Sequence, residues 1–179
     1  MGKTNIKAIT SSKLEFKLIE KQEFETAKQG RQIEGVPSRF FLSSNDFLLG
    51  YGFSRCQAVV LYDSLDRKGA LLHNHPSETP SYIIQGEYPE LGKTINPKKE
   101  FEDLGRVLAF HVYHESDYIY PESWIEKPLN EIGIKQVEHI SVRCAKPGFH
   151  QWMDVGFDVK KGLLYIIPTD FDNGIRLKI

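Results

Sequence analysis

"CQAVVLYDSLDRKGALLH", residues 56–73, is the stretch on which the fold turns. Its first eight residues are rich in β-branched and aromatic side chains, which suit a pleated, half-buried surface. "SLDRKG" then supplies turn-forming residues, and "GALLHNH" (69–75) has the character of a returning strand. The stretch predicts an antiparallel hairpin turning at Ser64–Lys68. Such a hairpin brings Cys56, at the head of one strand, towards His73, at the end of the next. It also concentrates chemistry, holding one of the two cysteines and two of the six histidines of the chain.

Around this hairpin the chain reads mostly as strands. "KLEFKLIE" (13–20) alternates Leu14, Phe16 and Leu18, predicting a strand with that face buried. "KQEFETAKQGRQ" (21–32) is a short polar helical turn or loop ended by Gly30. "SRFFLSSNDFLLGYG" (38–52) divides into two extended pieces at "SSND", whose side chains bond to nearby backbone. Pro76 to Lys99 carries four prolines and reads as an irregular excursion. "KEFEDLGRVLAFHVYHES" (99–116) fits a helix with Phe101, Leu104, Leu108 and His111 on one face, while its second half fits a strand equally well. "PESWIEKPLNEIG" (121–133) starts with Pro121 and ends on Gly133, as helices do, although Pro128 would strain a single helix. "QVEHISVRC", "GLLYIIP" and "GIRLKI" are further strand candidates. Strands with one or two helices predict an α+β layered sandwich, as a single domain over 1–179, with 1–40 an extension or added strand and helix ahead of a 41–179 core.

Composition narrows the function. Lysine plus arginine number 23 against 24 aspartate plus glutamate, a net charge of −1 that gives no reason to expect nucleic acid or an anionic membrane as partner. No apolar run is long enough for a bilayer-spanning helix. "MGKTNIKAIT" lacks the apolar core of a signal peptide, and Ile6 stands where a myristoylation signal has Ser or Thr. The expectation is a cytoplasmic protein, or one exported without a cleavable signal, with its two cysteines reduced.

"GFSRCQAVVLYDSLDRKGALLH" (52–73) resembles the catalytic hairpin of the CheD-type chemoreceptor glutamine deamidases. There a Gly- and Ser-containing turn delivers a nucleophilic cysteine at the head of a strand ending in "LYD". A basic, Gly-containing turn then leads to the catalytic histidine. The match from Cys56 to His73 needs no gap, with Leu61, Tyr62, Asp63 and Gly69 in register. It implies a CheD-like fold and a protein glutamine deamidase with Cys56 as nucleophile and His73 as general base. It further implies a protein partner bearing the target Gln and no cofactor. Deamidating toxins related to cytotoxic necrotizing factor share the thiol–imidazole core. Arg55 replaces the family's Ser before the cysteine, leaving Ser54 one place earlier near the oxyanion site. Gly50 falls where the chemoreceptor enzymes have a histidine-orienting Thr. In the toxin branch a backbone carbonyl serves instead, which makes the Gly50 carbonyl the candidate.

Two other classes stay open. "HNHPSE" (73–78) is similar to the zinc signature of JAMM/RadC-type metalloproteins, since His73 and His75 alternate on a strand and share a face. The third ligand of that family, an Asp three residues after a downstream Ser, falls on Ile84 when counted from Ser81. A binding protein on an inactive deamidase scaffold is the third class. His111, His114, His139 and His150 read as surface or satisfied core residues. Cys144 reads as packed on a strand, and Trp124 and Trp152 as core or interface anchors.

Overall fold

The hairpin forms as its sequence predicts: β6 (Gln57–Asp63) pairs antiparallel with β7 (Lys68–Asn74), joining Ala58 to His73 and Asp63 to Lys68. Asp63 shapes the turn, its Oδ1 accepting the Leu65 N–H at 2.9 Å. Every residue of β6 is buried, which places the hairpin inside a layered structure with both faces covered. The computed structural model describes residues 6–10, 14–36, 41–53, 56–74, 96–114, 122–144, 152–169 and 171–179.

The described residues ahead of the hairpin form β1 (Ile6–Thr10), β2 (Phe16–Glu20), α1 (Lys21–Lys28), β3 (Ile33–Val36), β4 (Phe41–Ser44) and β5 (Phe47–Phe53). After it come the single turn α2 (Pro97–Glu100), β8 (Leu108–His114), α3 (Ser123–Ile132), β9 (Gln136–Cys144), β10 (Met153–Asp158), β11 (Leu163–Pro168) and β12 (Asn173–Lys178). They make two six-stranded sheets, ordered β1-β9-β8-β6-β7-β4 and β2-β12-β11-β10-β5-β3. Each sheet is antiparallel except for one parallel pair, β8–β9 in the first and β3–β5 in the second. The α+β layered sandwich of mixed, mostly antiparallel strands is therefore the observed architecture.

Alternation along β6 explains the layers. Ala58, Val60 and Tyr62 face the second sheet and join Leu71, Phe110, Val112, Ile140, Val155, Phe157 and Leu164 in the core between sheets. Val59 and Leu61 face the other way, where Ile125, Leu129 and Ile132 of α3 cover them. On the outside of the second sheet, Phe24 of α1 packs with Phe47, Leu49, Tyr165 and Ile167. Two helices thus flank two sheets.

Several expectations change. The segment open between helix and strand resolves into α2, a 3₁₀ turn at Leu104–Arg106 and the strand β8. Helix α3 runs unbroken through Pro128, because Pro128 lies on the buried face, where apolar contact offsets the lost hydrogen bond. In β2 it is Ile19, not Leu18, that is buried: Leu18 is 56% exposed on this sheet-edge strand, whereas Ile19 reaches the core under α1. Residues 6–36 contribute β1, β2 and β3, an edge strand to the first sheet and both edges of the second.

Candidate functional site

Cys56 stands one residue before β6 and is a half-buried, reduced cysteine packed against the core between the sheets. By strand alternation it shares the face of Ala58, whose partner in register is His73. Cys56 and His73 are therefore diagonal neighbours on one face of the hairpin, a relation that leaves Cα atoms about 7–8 Å apart.

His73 is 3% exposed, and its orientation has two determinants. Its Nδ1 lies 3.4 Å from the carbonyl oxygen of Val36 on β3. A carbonyl only accepts, so Nδ1 carries the proton and the lone pair sits on Nε2. Its ring also stacks on Phe53, with centroids 3.8 Å apart and planes 26° apart.

Phe53 arrives there through a β-bulge. In β5, Phe47 and Leu49 face α1, and simple alternation would send Phe53 the same way. Opposite β10, however, Met153 pairs with Phe53 and Val155 with Gly50, so β5 holds one residue more than its partner. Gly52 takes the left-handed conformation the bulge needs, at φ +69°, and its N–H donates to Asp154 Oδ1 at 3.1 Å. The bulge turns Phe53 into the inter-sheet core beneath His73. Gly50 makes room for it: a Cβ there would stand 2.6 Å from the Phe53 ring. The residue read in sequence as the orienting carbonyl thus pairs with Val36 across β3–β5 and adjoins Phe53, while the carbonyl beside Nδ1 is that of Val36.

The base of β3 is held by charge. Arg31 bonds to the carboxylate of Asp158, which is fully buried, and pairs with Asp46. This cluster fixes the strand that carries Val36.

Ser54 and His75 lie outside the described residues, as do Arg55, Ser81 and Ile84. His73 faces the inter-sheet core, and among the described residues no three His, Cys, Asp or Glu side chains form a group able to hold a metal ion.

A second polar cluster lies on the opposite face of the first sheet. His111 on β8 and His139 on β9 are opposite each other in the parallel register, and both are buried. Their Nδ1 atoms are 2.9 Å apart, and His139 Nε2 lies 3.1 Å from Glu126 Oε1 on α3. Burial first, and the neighbouring His139 next, hold the His111 imidazole well below its usual range, so it is neutral at neutral pH. Sequence reading treated these histidines one by one, and only the parallel pairing makes them a pair.

No protein-family model matches this sequence, and no curated protein matches it.

Proposed function

We propose that the chain is a cysteine-dependent protein glutamine deamidase in which Cys56 is the nucleophile, His73 the general base and the Val36 carbonyl the group that orients His73. The observation that carries this reading is the Nδ1 contact with a main-chain carbonyl, on the face of the hairpin that Cys56 shares. It leaves Nε2 as the basic nitrogen, the state a thiol partner requires. It is also the kind of orienter expected of the toxin branch, supplied by a strand earlier in the chain.

The chemistry follows from those roles. His73 Nε2 takes the Cys56 proton, and the thiolate attacks the Gln side-chain carbonyl carbon. Main-chain N–H groups near Cys56 stabilise the oxyanion. His73 returns its proton to the departing ammonia and then draws one from water, which hydrolyses the thioester. The product is Glu on the target protein; capture of the thioester by an amine would give transglutamination instead. The partner is a protein bearing the reactive Gln. No metal or cofactor takes part.

The test is the pH dependence of alkylation at Cys56, read by peptide mass spectrometry to separate it from Cys144. In wild type the rate should inflect well below the free-thiol value of about 8.5, and His73→Ala should return it there. Ammonia release from a Gln-bearing target should be lost in Cys56→Ser. An ordinary thiol profile in wild type, or full activity in Cys56→Ser, overturns the proposal in favour of a binding protein on this scaffold.

A further inference from the structure

The pair His111–His139 takes no part in the chemistry above, yet its geometry dictates where its protons are. Two imidazole nitrogens 2.9 Å apart share one proton, because two lone pairs or two N–H groups would repel. The Glu126 carboxylate, 3.1 Å from His139 Nε2, only accepts while ionised, so that nitrogen carries a proton. In the neutral pair His139 Nδ1 is then the acceptor, His111 Nδ1 the donor and His111 Nε2 the basic nitrogen.

Adding one proton keeps every bond. When His111 Nε2 accepts it, the His111 Nδ1 proton passes to His139 Nδ1. The two nitrogens still share one proton, now donated from the other side, and the positive charge rests on His139 beside Glu126. A second proton leaves no lone pair between the rings and sets two N–H groups against each other.

We propose that Glu126, His139 and His111 form a one-proton switch beneath α3. One proton reverses the hydrogen bond between the imidazoles and turns His111 Nε2 from acceptor to donor with the helix still docked. A second breaks the hydrogen bond between the two histidines, and with it the side-chain link between β8 and β9.

The surroundings fit this role. Glu126 is 43% exposed and lines a surface depression of about 440 Å³ with Ser123, Lys127, Asn130, Glu131 and Lys135, so the carboxylate end meets solvent. The His111 end is fully buried. Among the described residues, Tyr113 on β8 also faces the pair, its ring 4.9 Å from that of His111, and Glu122, the residue before α3, accepts from the Tyr113 hydroxyl at 3.2 Å. From β6 the residue opposite His111 is Val59, which does not titrate. Docking of α3 by Ile125, Leu129 and Ile132 is independent of pH, which is why the first proton does not release the helix.

The experiment follows the imidazole nitrogens of the full-length, ¹⁵N-histidine-labelled protein by NMR from about pH 8 down to the acid limit of the fold, because burial holds His111 well below the usual histidine range. At the upper end His111 should be protonated at Nδ1 alone and His139 at Nε2 alone, with scalar coupling between the two Nδ1 atoms. On acidification both rings should change in one shared transition, with the coupling retained and His111 Nε2 newly protonated. Glu126→Gln should weaken that uptake about tenfold, moving the transition roughly one pH unit lower. Its melting temperature near pH 8 should stay close to wild type, because Glu126 is partly exposed. Absence of the coupling, separate titration of the two rings, or an unmoved transition in Glu126→Gln overturns the switch. Faster amide exchange in α3 across the first transition overturns the claim that the helix stays docked.

Discussion

Gly50→Ala tests whether the bulged strand β5 sets the position of His73. The new Cβ would stand 2.6 Å from Cε2 and Cζ of Phe53 and 3.4 Å from a methyl of Leu71. Ordinary contact begins near 3.4 Å, so the Phe53 ring must retreat by 3.4 − 2.6 = 0.8 Å. It has little room to do so, being 0% exposed and stacked against His73 at 3.8 Å. Overpacking of this kind costs about 1–3 kcal/mol, which in a chain this size lowers the melting temperature by about 2–12 °C. At His73 as the proposed base, a displacement of about 1 Å costs on the order of a hundredfold in rate. Thermal unfolding and the pH profile of Cys56 alkylation, measured together, read both effects. Gly35→Ala is the control, since a Cβ at Gly35 meets nothing within 4 Å on the neighbouring strand β3. If Gly50→Ala melts with the control and its thiol keeps the wild-type profile, the reasoning from Phe53 to His73 is refuted.

Other perturbations test the frame around the site. Phe24→Ala removes the aromatic that joins α1 to the second sheet and is 1% exposed. It should destabilise by about 3–5 kcal/mol in chemical denaturation while leaving the Cys56 alkylation profile unchanged. Arg106→Met removes the guanidinium that bonds Asp63 Oδ2 at 2.9 and 3.2 Å behind the hairpin turn. Burial pushes the Asp63 carboxyl up, but Arg106 and the N–H groups of Leu65 and Asp66 outweigh it and hold the carboxyl below its usual range. A carboxyl depressed in the folded state contributes stability above its unfolded pKa and loses it as pH falls through the folded one. The variant should therefore melt lower than wild type at neutral pH, and the difference should shrink below about pH 3. A difference independent of pH would contradict this assignment.

The hairpin was legible because its signals are local: a β-branched run, an aspartate that bonds its own turn, and a second apolar run. Strand β10 was not, although it lies within the second sheet between β11 and β5. Its sequence, "MDVGFD", is not among the strand candidates, since Asp154, Gly156 and Asp158 suit strands poorly. Each is there for a distant partner. Asp154 accepts the N–H of Gly52, Asp158 receives Arg31, and Gly156 leaves space for Phe24, whose ring would be 2.5 Å from a Cβ. The candidate site divides in the same way. Cys56 and His73 share a face because the hairpin's register is set locally, whereas Val36 reaches His73 through a parallel pairing that no local pattern announces. The pair His111–His139 depends on the other parallel pairing, β8–β9, and was invisible for the same reason.

The carbonyl beside His73 belongs to β3, a strand of four residues with one neighbour, at the edge of the second sheet. Edge strands open by local fluctuation far more readily than central ones, and their amides exchange without global unfolding. The Val36 contact of His73 is then only as durable as the pairing of Ile33–Val36 with β5, whereas β6 and β7, inside the first sheet, hold Cys56 and His73 through the stability of the whole domain. Loss of the proposed dyad's alignment on warming should precede melting, and a ligand that pins β3 would raise the temperature at which that alignment fails without moving the temperature at which the protein unfolds.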